Sequence, residues 1–575
     1  MIFFFLLQGI QLKYLKYINL NNYESITELP EFCTPNLKKL YLSHCKNLVK
    51  VHESIGCLEK LQLWDLEGCE KLQILPNNLR LISLKYINLN NCESITELPE
   101  FCTPSLKKLY LSHCKNLVKV HESVGFLEKL QLWDLQGCEK LQILPNNLRL
   151  ISLKHINLNN CESITELPKF YTPSLKVLYL SHCKNLVKVH ESVGFLDKLQ
   201  RWDLKGCEKL QILPNYLKLI SLKYINLNNC ESITELPEFC TPSLQELHLS
   251  HCKNLVKVHE SVGFLDKLQR WDLEGCGKLQ ILPNYLRLIS LKYLSLKSCE
   301  SITELPEFCT PSLEELYLSH CKNLVKVHES VGFLDKLQRW SLRGCEKLQK
   351  LPNYLMLISI KYINLNNCES ITELPKFCTP SLKQLHLSHC KNLVKIHESV
   401  GFLDKLERWD LEGCGKLQIL PNYLKLTSLK YINLNNCESI KELLEFYTPS
   451  LKKLYLSHCT LSPKKLYLSH CKNLGSLSFH GNKNITELDF LMKPVYFPVL
   501  DSLDLSETNI VSIPESLSRF ANLAVLQLRN CKQLREIQRL PQSVRDVDVR
   551  NCYSLNAQSS SRLLNQVSLS FFIKL

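Results

Sequence analysis

Apolar and polar positions along this chain follow two interleaved rhythms. In "LKKLYLSHCKNLVKVHESVGFLEK", beginning at Leu106, Leu109 and Leu111 alternate with polar neighbours, and apolar residues then fall more widely at Cys114, Leu117, Val120, Val124 and Leu127. The alternating part predicts a short strand with one buried face. The wider part predicts a chain folding back over its own apolar side chains. Matching stretches begin at Leu84 ("LKYINLNNCESITELPEFCTPS", 22 residues) and at Leu130 ("LQLWDLQGCEKLQILPNNLRLIS", 23 residues), completing a cycle of 69 residues.

Six such cycles fill residues 15–428, which gives eighteen coils, and further coils begin at 429, 451, 474, 500, 523 and 544, for a total of 24. Self-similarity at a fixed period marks a solenoid whose units contact only their neighbours, so one elongated domain replaces the several globular ones that length alone suggests. The three coils fit L-x-x-L-x-L-x-x-C-x-x-L, the leucine-rich-repeat pattern. The expected fold is an α/β repeat solenoid, an irregular leucine-rich-repeat horseshoe with a parallel concave sheet and short helices or turns on its convex side. With parallel strands about 4.8 Å apart, that sheet runs on the order of 110 Å. Residues 1–14 read as the uncapped remnant of a severed coil, 429–499 as irregular repeats, 500–566 as closing repeats and 567–575 as a tail.

On the convex side, "ESITELPEFCTPS" carries two prolines and predicts extended or turning chain, whereas "HESVGFLEKL" predicts a short helix with Ser123 near its start. Trp133 and Trp202 replace a leucine at the fourth coil position and are expected in the core. Twenty-two of the 28 cysteines, among them Cys92, Cys114, Cys138 and Cys471, are assigned to the ninth position. There a small weak donor turned inward can reach a neighbouring carbonyl, so these thiols are read as structural. After Cys459 the stretch "KKLYLSHC" recurs, and two strands do not fit one coil, so one copy is expected to form the strand and the other to loop out.

The net charge of +14 is spread along the chain without a basic block, which disfavours nucleic acid as a partner. The cysteines form no CxxC pair and no terminal cluster, and the only sequon found is Asn484–Thr486, so a reduced cytoplasmic or nucleo-cytoplasmic protein is expected. The apolar start is too short to span a bilayer. No phosphate loop, G-x-S-x-G or H-E-x-x-H occurs, and histidines such as His113 and His182 have no recurring carboxylate to orient them. An enzyme is not expected, nor any catalytic residue, metal or cofactor.

What remains is the open strand face, at the third, fifth and seventh coil positions. Exposed tyrosine and arginine are frequent anchors of protein interfaces. The expected partner-binding residues are Tyr86, Lys108, Tyr110, Tyr179, Arg201, Asp203, Tyr224, Glu246, Arg270, Glu315, Tyr317, Arg339 and Arg408. The competing reading is a solvated face that tolerates any polar residue.

The coil "LKYINLNNCESITELP", the change to "LDSLDLSETNIVSIPESLSRFANL" at Leu500 and the closing "LRNCKQLREIQRLPQSVRDVDVRNCYSLNAQSS" from Leu528 resemble the leucine-rich-repeat region of plant TIR-type nucleotide-binding disease resistance proteins. That resemblance implies recognition of a pathogen effector, or contact with the receptor's own signalling domains, in defence. The TIR segment and phosphate loop of that family are absent, so their chemistry is not carried over. An extracellular leucine-rich-repeat receptor and a non-functional receptor fragment stand as alternatives; the former lacks here the glycine of its usual N-x-L-x-G-x-I-P coil.

Overall fold

The computed structural model describes residues 13–31, 34–440, 445–461, 468–489, 491, 494–566 and 572–574. Most of the segment expected to be a severed coil therefore lies outside the described residues. The chain divides into two compact units, Met1–Leu291 and Lys292–Leu575. Each is a parallel β-solenoid of the leucine-rich-repeat class, with twelve strands in the first unit's main ladder and thirteen in the second's. A strand stands in each of the 24 expected coils, and Phe572–Lys574 adds one more within the segment expected to be a tail.

Equivalent coil positions are neighbours. Leu63–Asp65 pairs in parallel with Tyr86–Asn88, which pairs with Lys108–Tyr110, placing Leu63 beside Tyr86 and Tyr86 beside Lys108. The middle residue of each strand points inward, so Trp64, Ile87, Leu109 and Trp133 are fully buried. Such stacking buries one continuous apolar column per coil position, which no single coil can do alone.

The eighth position turns the chain out of the strand. Asn91, His113 and Gly137 have φ of 57°, 61° and 73°, and their equivalents repeat the left-handed conformation along both units. Asn and Gly are suited to it, and His is tolerated. A Cβ on Gly137 would stand 2.6 Å from His113 Nδ1, so glycine also makes room for the histidine ring before it.

The chain's return path differs from expectation in its helices. "HESVGF" forms a 3₁₀ turn, Glu122–Phe126, whose cap is His121: its Nδ1 accepts the Ser123 N–H at 3.2 Å. The Ser123 hydroxyl instead accepts the Phe101 N–H of the preceding coil at 2.8 Å. Asn146 N donates to Glu122 Oε2 at 3.1 Å, a further tie between coils. Pairs such as Asn147–Leu148 with Lys169–Phe170 form small parallel ladders on this side. The α-helix among the described residues is Ala557–Gln566.

In the duplicated stretch the first copy supplies the strand, Lys453–Tyr455. Residues 465–467 of the second lie outside the described residues. Cys471 departs from the expected column. Its carbonyl accepts the N–H of Leu474, the first residue of the next coil, at 3.0 Å, as the Leu127 carbonyl accepts that of Leu130, which opens its own coil. It therefore fills the turn before the next strand, beside Thr448 Oγ1 at 3.2 Å, while Asn482 holds the ninth position of the following coil.

Candidate protein-recognition face

The third and fifth positions of each coil form adjoining columns along the strand face. Tyr86, Tyr110, Tyr179, Arg201, Tyr224, Glu246, Arg270, Glu315, Tyr317 and Arg408 are partly exposed there, and Lys108 and Arg339 are exposed. Asp203 sits deeper than the alternation suggests, only 9% exposed. One of its oxygens accepts Lys205 N–H at 3.1 Å and the other lies 3.8 Å from Arg201 Nη2, so it braces the arginine from beneath.

Neighbouring side chains stack across strands. Tyr86 and Tyr110 have ring centroids 5.4 Å apart, and Tyr224 and His248 5.2 Å apart. The Arg201 guanidinium lies 3.6 Å from the Tyr224 ring centroid and 5.9 Å from that of Tyr179. Arg408 repeats the arrangement over Tyr431 at 3.8 Å. Glu246 Oε2 is 2.9 Å from His248 Nε2, and the Tyr317 hydroxyl donates to Glu315 Oε2 at 3.1 Å. A guanidinium laid on a ring loses little freedom when a carboxylate approaches its outer edge.

Burial, with Asp65 nearby, pushes the Tyr86 hydroxyl up to about 12, and burial beside Glu315 does the same for Tyr317. Both remain neutral donors at physiological pH. His155 is held below its ordinary value by burial and by Lys176 and Lys154, so it stays neutral as well.

The face rests on a uniform interior. Cys92, Cys114 and Cys138 are fully buried, and each thiol donates to a leucine carbonyl of the preceding coil, at 3.2, 3.1 and 3.2 Å. Burial holds all three thiols above their ordinary value, with Cys114 pushed up to about 12. Every described cysteine is a free thiol, and among the described residues no group of three or more His, Cys, Asp or Glu is placed to hold a metal. Trp133 and Trp202 are fully buried. Sequence reasoning overlooked Lys297 and Arg343; comparing the strand face cycle by cycle is the signal that finds them.

Among the described residues, no helix is long and apolar enough to cross a membrane. No family model matches the chain. It is 27% identical over 471 residues to Protein SUPPRESSOR OF npr1-1, CONSTITUTIVE 1 of Arabidopsis thaliana, covering 74% of this chain and 32% of that protein. Disease resistance protein RPP5 of the same plant is 25% identical over 476 residues, 74% of this chain and 31% of its own length. Among solved structures, YopM from Yersinia enterocolitica aligns at 20% identity and a TM-score of 0.34, covering 92% of this chain and 90% of that one. The chain spans about a third of the length of the curated relatives it matches. Its sequence and its stacked parallel coils are those of a leucine-rich-repeat solenoid similar to the repeat region of plant TIR-type nucleotide-binding disease resistance proteins.

Proposed function

We propose that the chain is a protein-recognition module of an intracellular plant immune receptor. It binds a pathogen effector, or the receptor's own signalling domains, through the strand face and acts in the cytoplasm. The observation that carries this reading is the Arg201–Tyr224 stack with Asp203 beneath it, a preorganised anchor of the kind that dominates interface energetics. The Arg408–Tyr431–Asp410 set repeats it.

The test is charge reversal on the face. A partner identified by cross-linking in leaf tissue is titrated against the wild-type chain and against Arg201→Glu/Arg270→Glu/Arg339→Glu. Loss of binding is expected; unchanged affinity removes the strand face as the binding surface.

A further inference from the structure

Six cycles of one repeat let the chain be compared with itself. The strand face offers nine positions per cycle. In cycle 291–359 they carry a formal charge of +2, from Lys297, Arg339 and Arg343 against Glu315. In the other five cycles the same positions sum to between −2 and +1. In cycle 360–428, Arg408 is outnumbered by Asp410 and Glu412. Ser295, Lys297, Ser341 and Arg343 each stand where no other cycle has that residue.

These substitutions give up bonds that the sister cycles keep. Asn366 Oδ1 accepts Ser388 N–H at 2.8 Å, and Asn90 does the same for Ser112 at 2.7 Å. Lys297 stands at that position and has no acceptor to offer. Asn364 Oδ1 accepts Asn366 N–H at 2.9 Å, at the position that Ser295 takes over. Ser295 is fully buried and its hydroxyl has no partner. Lys350 and Met356 show that this cycle has diverged elsewhere too, but only on the strand face do the changes converge in sign and place.

The geometry follows. Where Asp410 lies 3.4 Å from Arg408, Ser341 stands near Arg339 and bonds the Ser319 hydroxyl at 2.8 Å. Arg339 is exposed and 5.9 Å from the Tyr362 ring, farther than Arg408 lies from Tyr431. Ser298 N bonds Ser319 O and His320 N bonds Arg343 O, which fixes Lys297, Ser319 and Arg343 in adjacent coils at one position. Two strand spacings, roughly 10 Å, separate the two cation backbones, within reach of one shared anion above Ser319. Glu315, the one carboxylate of the set, is engaged by the Tyr317 hydroxyl.

Resting on the recognition reading above, we infer that the strand face of cycle 291–359 docks an acidic segment of the protein partner. Its carboxylates meet Lys297, Arg339 and Arg343 in charge-assisted bonds, with the partly exposed Ser319 hydroxyl, braced from below by Ser341, as a donor.

The test uses the full chain and a fluorescein-labelled deca-glutamate peptide, followed by fluorescence anisotropy at low salt. The variant Ser295→Asn/Lys297→Asn/Ser341→Asp/Arg343→Glu installs the residues of cycle 360–428, where they already fold. Affinity should fall at least tenfold. Lys119→Glu/Lys188→Glu, an equal change of charge off the strand face, should leave it within twofold. No binding by the wild type, or equal weakening by the two variants, overturns the assignment. If the peptide fails while Arg201→Glu/Arg270→Glu still abolishes binding of the identified partner, the recognition face stands and only the acidic segment is withdrawn.

Discussion

Cycles 291–359 and 360–428 have nearly the same interior and opposite faces. Trp340 and Trp409 are both fully buried, as are Cys345 and Cys414, and Gly344 and Gly413 turn at φ of 74° and 73°. An interior slot is fixed by the coils on either side, so a change there breaks the stack. A face slot answers to its cross-strand neighbour. Lys108 stands beside Leu132, whereas Val177, Glu246, Glu315 and Gln384 stand beside arginines, so at these paired positions two cations never meet. Like charges directly opposite one another are destabilising. Within that rule the face is free to change, and its specificity can change without refolding.

The largest effect is expected in the shared core. Trp340→Ala and Trp409→Ala should each cost about 3–5 kcal/mol, and by similar amounts, in denaturant unfolding. A clear difference between them means that the two interiors are not equivalent.

Next come the turn glycines. Gly344→Ala and Gly413→Ala place a Cβ 2.6 and 2.4 Å from the Nδ1 of His320 and His389, at a positive φ. A loss of about 2 kcal/mol each is expected from urea midpoints. His320→Ala or His389→Ala, by removing the ring, should recover part of it.

The cysteine column predicts a pH dependence. Burial pushes the Cys368 thiol from its ordinary 9.0 up to about 12. A value raised on folding contributes stability that is complete below pH 9 and lost as pH climbs towards 12. Alkaline titration monitored by circular dichroism should show this decline, and Cys368→Ala should make it shallower. Exposed Cys309 and Cys378 should react with a thiol reagent at neutral pH while the column stays protected.

The smallest effect on stability is expected where the two faces differ. Ser341→Asp and Asp410→Ser, each at a buried hydrogen-bonded position, should change folding by about 1 kcal/mol. They should nonetheless move deca-glutamate affinity in opposite directions, weaker for the first and stronger for the second.

The coil boundaries were legible because leucine spacing alone fixes which residues can point inward: Leu106, Leu109 and Leu111 admit one register. The inward thiol of Cys114 followed from its place after the strand. Other features depend on neighbours that a linear reading does not supply. Asp203 is covered by the arginine two residues before it, and Cys471 shares its local motif with the column yet is displaced by the duplication. His121, not Ser123, caps the 3₁₀ turn because the serine hydroxyl is drawn to the coil before it. At the site, the residue types on the face were readable, but the stacking of Arg201 on Tyr224 appears only with the register.

Two surfaces of the solenoid could meet the partner, the strand face and the side of the 3₁₀ turns. A photo-activatable phenylalanine placed at Tyr110 or Tyr179 on the strand face, and in parallel at exposed Phe126 or Phe195 in the 3₁₀ turns, reads this directly in leaf tissue. Adducts to one and the same protein from the tyrosine positions, and none from the phenylalanine positions, are predicted. The opposite distribution would contradict recognition through the strand face.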